Sequence, residues 1–186
     1  MGNFDPLTAL ISSKGHAVIG LGLLGSSPKQ VIKKAMHAAN KQANGSYPIA
    51  YAHMKRSIDG KGNITHSATS NIAKAIMGSN ELKALAKKYR YSACFGKTTI
   101  FFTSNRDLAR TLYQATIYGD ITVSGKKRSF KGEVIDIYDF RMDMLPKKNT
   151  VKGWMLRYAG NAAYLAIQLK LMKKYKIKVL LDGAIK

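Results

Sequence analysis

At 186 residues and 46% apolar content, the chain is long enough to bury a core of its own and too apolar for a disordered tail. Its 31 Lys and Arg against 10 Asp and Glu give a net +21, made of +11 over residues 1–100 (14 basic, 3 acidic) and +10 over residues 101–186 (17 and 7). The charge therefore belongs to the whole surface and draws the chain to polyanions: nucleic acid, an anionic membrane face or a phosphorylated lipid.

The longest apolar run, Ala17 to Leu24, is far short of a membrane span and is interrupted by Gly20 and Gly22. With Asp5 before it and Lys14 as its only nearby base, it makes no clear signal peptide. Gly20-x-Gly22-x-x-Gly25 has dinucleotide-fingerprint spacing, yet no acid lies between Asp5 and Asp59 to hold a ribose, so the run reads as a glycine-rich turn. Ser27-Pro28 then caps a helix whose apolar positions Val31, Ile32, Ala35, Met36 and Ala39 run to Asn44-Gly45. Residues 46–67 show no clear period and read as a loop-rich connection. Two further helices are expected, over Ile72 to Met77 and over Leu82 to Tyr89, the second with Ser79 as cap and Glu81 in its first turn.

Near residue 97 the pattern changes. Gly96-Lys97-Thr98 imitates the end of a phosphate loop, but Tyr91 stands where the leading glycine is required, so the segment enters a strand, Thr98 to Phe102. Cys94, the only cysteine, excludes an intramolecular disulfide and a multi-cysteine zinc site, and reads as a small buried residue between Ala93 and Phe95. Ser104 to Asp107 looks like a helix start, Tyr113 to Val123 a strand, Ser124 to Arg128 a hairpin tip and Phe130 to Tyr138 the returning strand. A helix over Trp154 to Lys174 and a strand through Ile177, Val179 and Leu181 complete the reading. The expected fold is α+β: a mostly helical region over residues 1–95 and an antiparallel, half-barrel-like sheet in a catalytic part over residues 96–186.

Four of the ten acids, Glu133, Asp136, Asp139 and Asp143, fall within eleven residues of a chain dominated by Lys and Arg. Spacings of three, three and four fit a helix face, but Val134, Ile135, Ile137, Tyr138 and Phe140 favour a strand. In a strand Asp136 and Tyr138 share a face, and Asp139 joins them if the strand ends there. Carboxylates at a strand end suit a hard cation such as Mg²⁺, with Asp136 and Asp139 as its ligands, and a phosphoryl group as the electrophile. The four histidines, His16, His37, His53 and His66, show no metal-type pairing.

The stretch Gly119 to Gly125, then Phe130-Lys131-Gly132-Glu133-Val134, then Asp136-Ile137-Tyr138-Asp139-Phe140 resembles the catalytic domain of the colicin M family over roughly residues 100–186. The resemblance implies a Mg²⁺-dependent hydrolase that cleaves lipid II between undecaprenyl and pyrophosphate and so halts wall synthesis. Asp136, Tyr138 and Asp139 match the family's Asp-x-Tyr-Asp. The family's following His-Arg pair would fall on Leu145 and Pro146; with a longer loop over Arg141 to Lys152, Leu156-Arg157 takes its place. Arg157 then supplies the arginine, and Asp143 or an N-terminal histidine stands in for the histidine, because Leu156 transfers no proton.

The expected setting is a toxin, released or secreted, acting in the periplasm or at the outer face of the cytoplasmic membrane of target bacteria. Its partners are lipid II at the membrane surface and an immunity protein, with no nucleic acid in this reading. Two alternatives use the same residues otherwise: a basic metal-dependent nuclease toxin with Lys126-Lys127-Arg128 and Lys173-Lys174 on the phosphates, or a non-enzymatic nucleic-acid-binding protein whose acids only form ion pairs.

Overall fold

The computed structural model describes residues 27–42, 44–139 and 166–185. They fall into two units, residues 1–62 with 139–174 and residues 63–138 with 175–186. The class is α+β. The expected 95/96 division falls inside a strand, Ala93–Phe101.

The first unit holds helices α1 (Pro28–Gln42) and α2 (Pro48–Ile58). The start of α1 is a capping box: Ser27 Oγ accepts from Gln30 N at 3.3 Å, and Gln30 Oε1 accepts from Ser27 N at 2.9 Å. Helix α2 lies where a loop was expected. No capping side chain announces it, since its N-cap is Tyr47, and its buried side holds His53 and Ser57 beside Met54 and Ile58, which breaks the apolar period. Ser57 earns that place through a long-range bond, its Oγ donating to the Lys173 carbonyl at 2.8 Å. Met36, Met54, Ile58, Ala166 and Met172 form the core.

The helix expected as far as Lys174 stops earlier: residues 166–168 are helical, and Lys170 takes φ +58. Leu171 N then donates to the Ala166 carbonyl at 2.8 Å and Lys170 N to that of Ile167 at 3.0 Å, a helix-ending pair of bonds in which a lysine stands where glycine is usual. Residues 151–165 lie outside the described residues.

The second unit carries β1 (Ile64–His66), α3 (Asn71–Met77), α4 (Asn80–Lys87), β2 (Ala93–Phe101), α5 (Arg106–Thr111), β3 (Gln114–Ser124), β4 (Lys127–Tyr138) and β5 (Tyr175–Ile185). All three helices begin on side-chain caps. Ser70 accepts from Ala73 N, Ser79 from Leu82 N, and Asn105 from Asp107 N and Leu108 N.

The sheet order is β1-β5-β4-β3-β2. It departs from the all-antiparallel expectation at one edge, where β1 pairs parallel to β5. Three residues with one apolar side chain at their head carry no strand signal, so β1 owes its place to β5 and to Asn63, whose Oδ1 accepts from Lys176 N at 2.9 Å. One face of the sheet is apolar: Phe95, Ile100, Ala115, Ile117, Ile121, Phe130, Val134, Ile177, Val179 and Leu181 are buried. Helix α3 packs against β5, and α4 against β2 and β5.

Where β3 and β4 cross this core, Gly119 stands opposite Gly132. Gly119 has φ +150, and a Cβ at Gly132 would sit 2.8 Å from both the Gly119 Cα and the Phe130 ring. The missing side chains let Phe130 lie over its own strand and meet Phe95, centroids 5.7 Å apart, with Tyr89 beyond at another 5.7 Å.

Candidate functional site at the end of β4

Strand alternation decides what the acids can do. Along β4, Phe130, Val134, Asp136 and Tyr138 share the core face, while Lys131, Glu133, Ile135 and Ile137 point the other way. Glu133 is thereby separated from Asp136; it forms an ion pair with Lys178 on β5 at 2.5 Å, a scaffold contact across the outer face. Asp136 is half-buried, and its Oδ1 accepts from the backbone N–H of Ile137 at 2.8 Å. Asp139 is the first residue beyond the strand and is exposed.

Tyr138 closes the core side of β4 at 5% exposure, directly opposite Tyr175 at 3%. Their rings lie 5.4 Å apart, tilted by 34°. Burial first, then the neighbouring Tyr175, pushes the Tyr138 phenol well above the ordinary tyrosine range. At this depth Tyr138 is a protonated phenol, able to donate a hydrogen bond and unable to act as a phenolate base. Tyr175 is the partner that sequence reasoning missed. Its only signal was register, one alternation before Ile177 on the buried face.

Asp143, Arg157 and Leu156 lie outside the described residues. Among the described residues no group of three or more His, Cys, Asp and Glu side chains is placed to hold a metal ion. The described carboxylates of the motif are a pair, and oxygen donors of this kind fit Mg²⁺, which commonly takes one or two carboxylates and completes its shell with water and phosphate oxygens.

Two other expectations change. Cys94 is exposed, because Phe95 takes the inward position on β2 and alternation turns its neighbour outward. There the Asp120 carboxylate, by hydrogen bond and then by charge, raises the Cys94 thiol above its ordinary value. Glu81 does more than favour the start of α4. Its Oε1 accepts from Thr103 N (2.8 Å), Thr103 Oγ1 (3.1 Å) and Ser104 N (2.7 Å), and its Oε2 from Ser104 Oγ (2.7 Å). Burial alone would raise this carboxyl; the bonds from Ser104 and Thr103 prevail and bring it to about 2. In the first unit Asp59 is held below the carboxylate range by Lys33 and then Lys55, at 2.6 and 2.8 Å.

No helix among the described residues is long and apolar enough to cross a membrane. No family model matches the chain, and no curated protein is similar to it. Among solved structures, the chain is similar to PaeM, a colicin M-like bacteriocin produced by Pseudomonas aeruginosa, with 16% identity, a TM-score of 0.32, and coverage of 96% of this chain and 68% of that one.

Proposed function

We propose that this chain is an antibacterial toxin that hydrolyses lipid II between its undecaprenyl chain and its pyrophosphate, with Mg²⁺ as cofactor. The observation that carries the reading is the placement of Asp136 and Tyr138 on one face at the end of β4, followed at once by an exposed Asp139. That is the order of the Asp-x-Tyr-Asp signature that the sequence resembles.

Bound between these carboxylates, Mg²⁺ would neutralise pyrophosphate charge and make phosphorus more electrophilic. The residues do the rest. Asp139, open to solvent, orients water and takes its proton as the water oxygen bonds to phosphorus. The phosphorus–oxygen bond to the polyprenyl chain breaks, and the leaving alcohol is protonated. Asp136, steadied by the Ile137 N–H, holds position, and Tyr138, a protonated phenol on the same face of β4, is the hydrogen-bond donor of the motif. Arg157 and Asp143 are the proposed anion-binding and acid–base partners.

The nuclease alternative places its phosphate contacts at Lys126-Lys127-Arg128 and at Lys173-Lys174. The first group occupies the opposite end of β4 from Asp136, about 30 Å away at strand rise, so a phosphate held there is out of reach of the carboxylates; the second directly precedes Tyr175, which stands opposite Tyr138.

Purified protein incubated with labelled lipid II and Mg²⁺ is expected to release polyprenol, and Asp139→Ala to lose at least 100-fold of that rate. No release by the wild type, or equal release by the variant, ends this reading. Cleavage of nucleic acid lost in Asp136→Asn would install the nuclease instead.

A further inference from the structure

Strand β4 loses one of its two neighbours just where the Asp-x-Tyr-Asp motif begins. The ladder with β3 runs from the Ser124–Lys127 pair to the Thr116–Ile135 pair, whereas the ladder with β5 continues through Asp136–Ile177 and Ile137–Lys176 to Tyr138–Tyr175. From Asp136 onward, β5 alone is paired with β4 among the described residues. The start of β5 is itself held on its far side, where Ile64 of β1 stands beside Ile177 and Asn63 Oδ1 accepts from Lys176 N at 2.9 Å. Asp136 and Tyr138 thus take their place from Tyr175, Lys176 and Ile177.

Alternation turns Lys176 to the outer face and leaves Tyr175 and Ile177 on the core face with the motif. Ile177 is fully buried opposite Asp136, and Tyr175 is buried opposite Tyr138. In an antiparallel pair the diagonal neighbour is also within reach of an aromatic ring, and Tyr175 is diagonal to Asp136. The Tyr138 and Tyr175 centroids lie 5.4 Å apart with the planes tilted by 34°, a contact that limits how the Tyr138 ring can turn. Tyr175 also closes the ladder, since the residue beyond Tyr138 is the exposed Asp139. A displacement of about 1 Å in a site can cost about 100-fold in rate, so a side chain that fixes Tyr138 acts on the chemistry without touching it.

We propose that Tyr175 is a positioning residue, which through its ring fixes the orientation of Tyr138 beside Asp136. The inference rests on the hydrolase reading for its catalytic consequence and on the packing of β4 against β5 for its structural part.

The test uses the full chain. Tyr175→Phe keeps the ring and is expected to hold kcat toward lipid II within about threefold of the wild type, whereas Tyr175→Leu removes it and should lower kcat about tenfold or more with KM unchanged. Phe130→Leu is the control: it opens the same core further along the same face of β4, away from the motif, and should lower the melting temperature without lowering kcat. Full kcat in Tyr175→Leu, an equal loss in Tyr175→Phe, or an equal loss in Phe130→Leu would overturn the proposal. Ring-flip rates of Tyr138 need no substrate; they are read by NMR on ring-labelled protein, with the signal assigned through Tyr138→Phe. Flips are expected to be slow in the wild type and in Tyr175→Phe, and about tenfold or more faster in Tyr175→Leu. Wild-type flips as fast as those of Tyr91, which is 83% exposed, would also overturn the proposal, whether or not Tyr175→Leu folds. A wild type inactive toward lipid II with slow Tyr138 flips ends the hydrolase reading and upholds the packing; an active wild type with fast flips does the reverse.

Discussion

Glu81 offers the sharpest test of how the second unit is held together. Its carboxylate gathers four hydrogen bonds from Thr103 and Ser104, the pair that follows β2 and precedes α5. Glu81→Gln keeps one acceptor oxygen and removes the charge, and its amide turns donors toward donors. The carboxyl falls from an ordinary 4.5 to about 2 on folding, which corresponds to a ceiling of about 3 kcal/mol. Water reaches this half-buried group and reduces the figure, so the expected loss at pH 7 is about 1–2 kcal/mol. Because the folded value lies below the unfolded one, this stabilisation is complete above about pH 4.5 and disappears as pH falls toward 2. Urea unfolding at pH 7, 4 and 3 should therefore show the two proteins converging as the solution becomes acidic. A variant as stable as the wild type at pH 7, or one separated from it by a constant gap down to pH 3, refutes the argument.

Three further outcomes follow from the geometry. Tyr138→Phe should cost about 1 kcal/mol of stability while lowering lipid II hydrolysis at least 100-fold, whereas Tyr138→Ala should cost about 3–5 kcal/mol by emptying its place against Tyr175; calorimetry and turnover measured on the same samples separate the two roles. Gly132→Ala should lose about 3 kcal/mol or more, because the new methyl meets the Gly119 backbone, which cannot rotate away; a wild-type urea midpoint would contradict this. Glu133→Gln should change stability by less than about 1 kcal/mol and leave hydrolysis intact, since it breaks a partly exposed ion pair on the outer face; a large activity loss would return Glu133 to the site.

Structure is legible in the sequence where the chemistry is local. Ser27-Pro28, Ser79 and Asn105 each mark a helix start because a cap is satisfied within three residues. The β-branched and aromatic residues around Asp136 likewise mark a strand, and in a strand Asp136 and Tyr138 share a face. What stayed hidden depends on distant partners. Ser57 is a core residue only because the Lys173 carbonyl, 116 residues away, accepts its proton. His66 is in a strand only because Val179 lies alongside. The early end of the last helix turns on Lys170 adopting φ +58, a conformation that a lysine does not advertise. Cys94 was misplaced for a simpler reason: a short apolar neighbourhood says that something is buried, but not which of two alternating residues it is.

The sheet order β1-β5-β4-β3-β2 also sets a sequence of events in time. A growing chain can form the meander of β2, β3 and β4 once residue 138 is available, since β3 and β4 are joined by a two-residue turn and β2 and β3 by the twelve residues that carry α5. β1, made earlier, has no partner until β5 arrives, and the edge of β4 that bears Asp136 stays open until then. β5 thus acts as the closing piece for two strands at once, and it makes contacts as distant in sequence as Lys176 to Asn63, 113 residues apart. Such non-local pairing is slow. Throughout that interval the Asp136 strand is an unprotected sheet edge, so the step most exposed to aggregation, or to capture by a chaperone, is the insertion of β5.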